Sequence, residues 1–118
     1  MTNQIDIEAL SNAERSVLLY AETCCVDYSG LLEAKRMNSD DLDALRKLQG
    51  VGVLTFGRIP GRLLEEVGKY GRRPTHWVTF TDAAWELAHA LRRKRAERIG
   101  VSRAMVNEVL AERAAVEA

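Results

Sequence analysis

Ten basic side chains crowd residues 51–100, with Arg58, Arg62, Lys69, Arg72 and Arg73 in one group and Arg92, Arg93, Lys94, Arg95 and Arg98 in another, against five acids. Residues 1–50 reverse the balance, with nine acids and five bases, so the zero net charge of the 118-residue chain conceals a split. A polyanion that binds is expected to meet the middle of the chain. Catalytic patterns are missing: there is no phosphate-cradling glycine loop, no GxSxG nucleophile and no pair of histidines on one helix. Glu65 and Glu66 are adjacent in a loop, a poor arrangement for an acid and base pair. Cys24 and Cys25 lack a base beside them. As helix neighbours they diverge, a disulfide between them would strain the backbone, and neither has a second CxxC or a histidine at ligand spacing. His76 and His89, thirteen residues apart, read as structural or surface groups. The chain is therefore read as a non-enzyme without metal or cofactor.

Two further features carry recognition chemistry. Arg92 to Arg95 occupy successive helical positions about 100° apart and cannot all face one ligand. A solvated helix end explains them, although Arg92 and Arg95 share a side with the leucine stripe and their stems can cover a partner's apolar surface. Trp77 alternates away from Val78 and Phe80 and is left to line a small ligand pocket or a protein contact.

The elements that must position these groups follow from capping and periodicity. Ser11 with Glu14 forms a capping box, and Ala13, Val17, Leu18, Ala21 and Cys24 or Cys25 continue as one apolar stripe to about Val26. Leu31 to Met37 reads as a short second helix that buries Leu31, Leu32 and Ala34 and exposes Glu33, Lys35 and Arg36. Asn38 caps a third helix, with a Met37 to Leu42 staple and Leu42, Leu45 and Leu48 on its buried face, closed by Gln49-Gly50. The second and third helices together make a helix-turn-helix candidate.

Val53 to Ile59 and Thr75 to Thr81 then read as strands of a β-hairpin. The connection from 60 to 74 is longer than an ordinary hairpin loop, with at most one helical turn around Leu63, Leu64 and Val67. Thr81 caps a fourth helix with a Phe80 to Trp85 staple, and Ala84, Leu87, Ala88 and Leu91 form its stripe. After Ile99-Gly100, Ser102 restarts a helix whose apolar side is Met105, Val106, Val109, Leu110 and Ala114. The predicted fold class is mainly α with a small β-hairpin (α+β). It divides into a tail at 1–8, a domain at 9–98 and a C-terminal helix at 99–118.

This order of elements resembles winged helix-turn-helix domains, in particular bacterial regulators of the MarR and PadR type, over about residues 9–92. The resemblance rests on Leu42-Asp-Ala-Leu-Arg-Lys-Leu-Gln-Gly-Val-Gly-Val-Leu54, similar to a recognition helix running into a wing, and on Val78-Thr-Phe-Thr-Asp-Ala83, similar to the junction after one. It implies that the third helix enters the DNA major groove while the wing reaches the backbone or minor groove. On this chain the groove-facing residues would be Asn38, Ser39, Asp43, Arg46 and Lys47. Arg58, Arg62, Lys69, Arg72, Arg73 and His76 would lie in or beside the wing, where cations neutralise phosphates and release counterions.

Asp40, Asp41 and Asp43 oppose a phosphate at the start of the third helix, although Asp43 can pair with Arg46 or Lys47. The leading expectation is a cytoplasmic, homodimeric regulator that binds double-stranded DNA, with Met105, Val106, Val109, Leu110 and Ala114 as the dimer contact. The alternative is a winged-helix module that binds another protein through the acidic third helix or the terminal helix. No uncharged run approaches the roughly 20 apolar residues of a membrane span, and the first residues lack the pattern of a signal peptide.

Overall fold

The computed structural model describes residues 6–68 and 71–117. The chain is a mainly helical α+β structure with a small three-stranded antiparallel sheet. Helix α1 (Asn12–Asp27) starts on the expected box: the Ser11 hydroxyl accepts from the Glu14 N–H at 3.1 Å, and the Glu14 carboxylate accepts from the Ser11 N–H at 3.2 Å. Val17, Leu18, Ala21 and Cys24 repeat at helical spacing and turn one stripe into the core. Before it, Ile7–Ala9 forms a 3-10 turn capped by Asp6, so the chain departs from the expected tail once Ile7 packs against the core.

The segment read as a second helix is not one. After α1 the backbone reverses through Ser29 and Gly30, both at positive φ, and Leu31–Leu32 becomes a short strand, β1. Gly30 is required there, because a Cβ would sit 2.5 Å from the Val78 carbonyl oxygen. Pairing with β3 makes the strand, and it buries Leu32 fully and Leu31 in part. Residues Ala34–Arg36 add only a 3-10 turn. The expected helix-turn-helix is thus reduced to strand, turn and helix, and Glu33, expected to be exposed, is buried.

Helix α2 (Ser39–Gly50) has Asn38 at its N-cap and Asp41 completing the box, with Ala44, Leu45 and Leu48 buried. The positive φ beyond its end falls on Gly52 rather than Gly50. The Gln49 side chain then accepts from the Phe56 N–H at 2.8 Å, tying α2 to strand β2 (Leu54–Arg58).

Strand β2 pairs with β3 (His76–Phe80) in the register Leu54↔Phe80 to Arg58↔His76. On the other edge of β3, β1 pairs Leu31 with Trp77 and Leu32 with His76, giving the order β1-β3-β2. The long connection holds a 3-10 turn at Gly61–Leu63 and one helical turn, α3 (Leu64–Val67).

Thr81 caps α4 (Asp82–Ala96), accepting from the Ala84 N–H and donating to the Val53 carbonyl. Phe80 and Trp85 meet edge to face at 5.1 Å between centroids, as the staple requires. Arg92 folds back to Glu22 at 2.6 Å and to Thr23 at 2.9 Å, fastening α4 to α1.

Helix α5 (Val101–Glu117) begins one residue before Ser102, and the Gly100 carbonyl takes its first bond. Every residue of α5 is exposed, Met105, Val106, Val109 and Leu110 included. The radius of gyration, 18.8 Å, exceeds the roughly 13.5 Å of a compact chain of this length because α5 leaves the body. No helix among the described residues is long and apolar enough to cross a membrane.

Candidate nucleic-acid interface

The hairpin and α2 bring part of the expected cationic set together. Arg58 ends β2 directly opposite His76, and Arg62 and Arg73 are exposed in the connection beyond. Arg36 joins them, because the Ala34 N–H donates to the Thr75 hydroxyl at 2.9 Å and so seats the 3-10 turn beside the start of β3. Sequence reasoning placed Arg36 on the outer side of a helix and gave it no role. No local signal finds it, because the turn is seated by a hydrogen bond to Thr75, 41 residues along the chain.

Arg72 and His76 are corrections. The Arg72 guanidinium turns inward: Nε donates to Glu33 at 3.2 Å, one terminal nitrogen donates to the Leu31 carbonyl at 3.0 Å and lies 3.7 Å from Cys24 Sγ, and the group stacks on the Tyr28 ring at 3.5 Å. A guanidinium with its donors engaged inside the fold is not available to a phosphate. Glu33 draws it in, since a buried carboxylate needs partners. The same carboxylate accepts from the Arg73 N–H at 3.2 Å and pairs with Lys35 at 3.3 Å. Burial pushes the Glu33 carboxyl up, but the Arg73 N–H and the Lys35 and Arg72 charges outweigh it and hold the group below the usual carboxylate value.

His76 is buried with Nδ1 2.8 Å from the Thr75 hydroxyl. Burial pushes its imidazole down and the Arg58 and Arg46 charges push it further, so the ring is neutral at pH 7 and carries no charge to a phosphate.

On α2, the Asn38 side chain is spent on the cap and Ser39 is exposed. Asp41 is also committed to the cap, which removes one of the three acids from the groove-facing count. Asp43 pairs with Arg46 at 2.8 Å, both exposed, and Lys47 reaches across to the buried Glu14 at 3.4 Å. Lys69 lies outside the described residues. Glu65 and Glu66 are exposed on α3 and offset the charge of the connection itself. The positive surplus therefore sits at the loop end of the hairpin, on Arg36, Arg58 and Arg73, with Arg62 just beyond.

The remaining chemical candidates resolve into packing. Cys24 is buried and Cys25 partly so. Burial pushes the Cys25 thiol up to about 11, with Cys24 and Glu22 adding to the shift. Trp77 lies on the outer face of the sheet across Gly57, where a Cβ would meet the indole at 2.9 Å, so its partner is the bare backbone of the neighbouring strand. No group of metal-ligating side chains exists among the described residues. In comparisons with known proteins, no family model, curated protein or solved structure matches this chain.

Proposed function

We propose that this chain is a cytoplasmic winged-helix protein that binds double-stranded DNA as a homodimer and acts as a small regulator of transcription. The observation that carries the reading is the sheet order β1-β3-β2, in which β1 flanks the hairpin and α2 precedes it in the chain, with Arg36, Arg58, Arg62 and Arg73 exposed around the loop end of the hairpin. With a 3-10 turn where the first helix of the expected pair would stand before α2, recognition relies on phosphate contacts more than on the major groove. The open apolar side of α5, Met105, Val106, Val109, Leu110 and Ala114, is the dimer contact, and a two-fold pair of hairpins suits two half-sites of a duplex.

The test is fluorescence anisotropy on pooled genomic duplex fragments at about 50 and 200 mM salt. Four phosphate contacts per protomer, eight per dimer, at a slope near −0.9 for each contact, make affinity fall about 10,000-fold across that range. The Arg58→Glu/Arg73→Glu double reversal is expected to abolish binding. Absence of binding by folded protein at low salt overturns the proposal. The exposed Asp40 and Asp43 on the first turn of α2 favour a second reading, a module that docks on a basic protein partner. Retention of that partner by the same double reversal separates the two.

A further inference from the structure

Away from the hairpin, the start of α1 and the end of α4 border an open pocket of about 260 Å³ lined by four cations, Arg15, Lys94, Arg95 and Arg98, and by no acid among the described residues. Like charges gathered on one wall repel, and the structure compensates only part of them. Glu8 pairs with Lys94 and stands 3.8 Å from Arg15. Arg95 and Arg98 have no ion pair among the described residues, and both are exposed. Arg15 is anchored by one terminal nitrogen to the Ile7 carbonyl at 3.0 Å, yet its Nε is buried without a hydrogen-bond partner among the described residues. A buried donor without an acceptor is uncommon in a native fold, and it leaves the Arg15 guanidinium short of acceptors beside this pocket. Ser16 adds a hydroxyl on the same wall, and Leu19 and Leu91 make part of the lining apolar.

We propose that this pocket binds a small phosphate monoester, with the dianionic head on Arg15, Arg95 and Arg98 and the organic group against Leu19 and Leu91. A carboxylate is satisfied by one guanidinium fork, whereas a phosphate head brings close to two charges and three strong acceptor oxygens, matching several cations from different elements. The volume is at or below the lower end of ordinary ligand pockets, which selects a small ester over a dinucleotide. Arg98 lies in the linker 97–100 between α4 and α5, so a bound head ties that linker to α1. The site shares no residue with the loop end of the hairpin.

The experiment is an NMR titration of the full chain with phenyl phosphate, against inorganic phosphate and benzoate at matched ionic strength. The readouts are the Arg15 Nε–H resonance and the amides of Ser16, Leu19 and Leu91. The expected result is a saturable shift at all of them, strongest for phenyl phosphate. The Arg95→Glu/Arg98→Glu variant is expected to weaken binding by about tenfold or more with the melting temperature unchanged, since neither side chain holds the fold. Shifts that fail to saturate, that are as strong with benzoate, or that survive the double variant overturn the proposal. So does a DNA duplex that moves these resonances when phenyl phosphate does not.

Discussion

Replacing Arg72 by methionine separates a buried structural arginine from a phosphate ligand. Its guanidinium makes a charge-assisted bond to Glu33, a bond to the Leu31 carbonyl and a stack on Tyr28. By magnitude these are about 1.5–3 kcal/mol for the bond to the buried carboxylate, about 1 kcal/mol for the carbonyl and about 0.5 kcal/mol for a partly exposed ring. Methionine keeps some of the stem packing, and Glu33 keeps Lys35 and the Arg73 N–H, so the net loss is about 3 kcal/mol. That corresponds to a melting temperature about 12 °C lower for a domain of this size. Urea unfolding followed by Trp77 and Trp85 fluorescence and by helical dichroism measures it. Arg73→Met is the control: its side chain is exposed and its contact with Glu33 is through the backbone, so its stability should change by less than about 0.5 kcal/mol while DNA affinity falls. An Arg72→Met protein with an unchanged urea midpoint and weakened DNA binding would refute the inward placement.

Stability should fall with acid in two windows, read as urea midpoints between pH 7.5 and 3.5. The lowered His76 value means the unfolded chain binds the extra proton first, so that contribution is complete above about 6.5 and is lost as pH drops below it; His76→Gln removes this limb. For Glu14 and Glu33, burial pushes the carboxyls up but hydrogen bonds and cations hold them below 4.5. Their contribution is present above that value and lost as pH falls through the folded values, and Glu33→Gln should flatten the fall. Met105→Lys combined with Leu110→Lys should convert a dimer to a folded monomer in light scattering, and a wild-type protein that is already monomeric rejects α5 as the dimer contact. Gly30→Ala meets both the positive φ and the Val78 carbonyl, and a loss of less than about 1 kcal/mol in urea would contradict the close approach. Iodoacetamide should alkylate Cys25 roughly 100-fold more slowly in native protein than in urea at pH 7.5, and equal rates would show the thiol is open.

Elements whose signals are local were legible in the sequence. The Ser11, Asn38 and Thr81 caps, the Phe80 to Trp85 staple and the two hairpin strands depend on residues within a few positions of one another, and each is found in place. The segment from Leu31 to Met37 was misread because seven residues carry too little periodicity to separate a helical turn from a two-residue strand. Its state is set by Thr75 and β3, more than forty residues away, where the Thr75 and Val78 N–H groups donate to the Leu32 and Gly30 carbonyls.

The cations divide along the same line. Sequence alone established that the middle of the chain is basic and that Met105, Val106, Val109 and Leu110 recur on one side of a terminal helix. Tertiary structure decided which of those charges reach solvent. Arg72 and Arg73 are neighbours with the same side chain, yet a carboxylate buried behind β1 captures one and leaves the other outside. A charge can be counted from sequence, but its availability depends on partners brought together only by folding, and an uncompensated buried acid recruits the nearest arginine that can reach it.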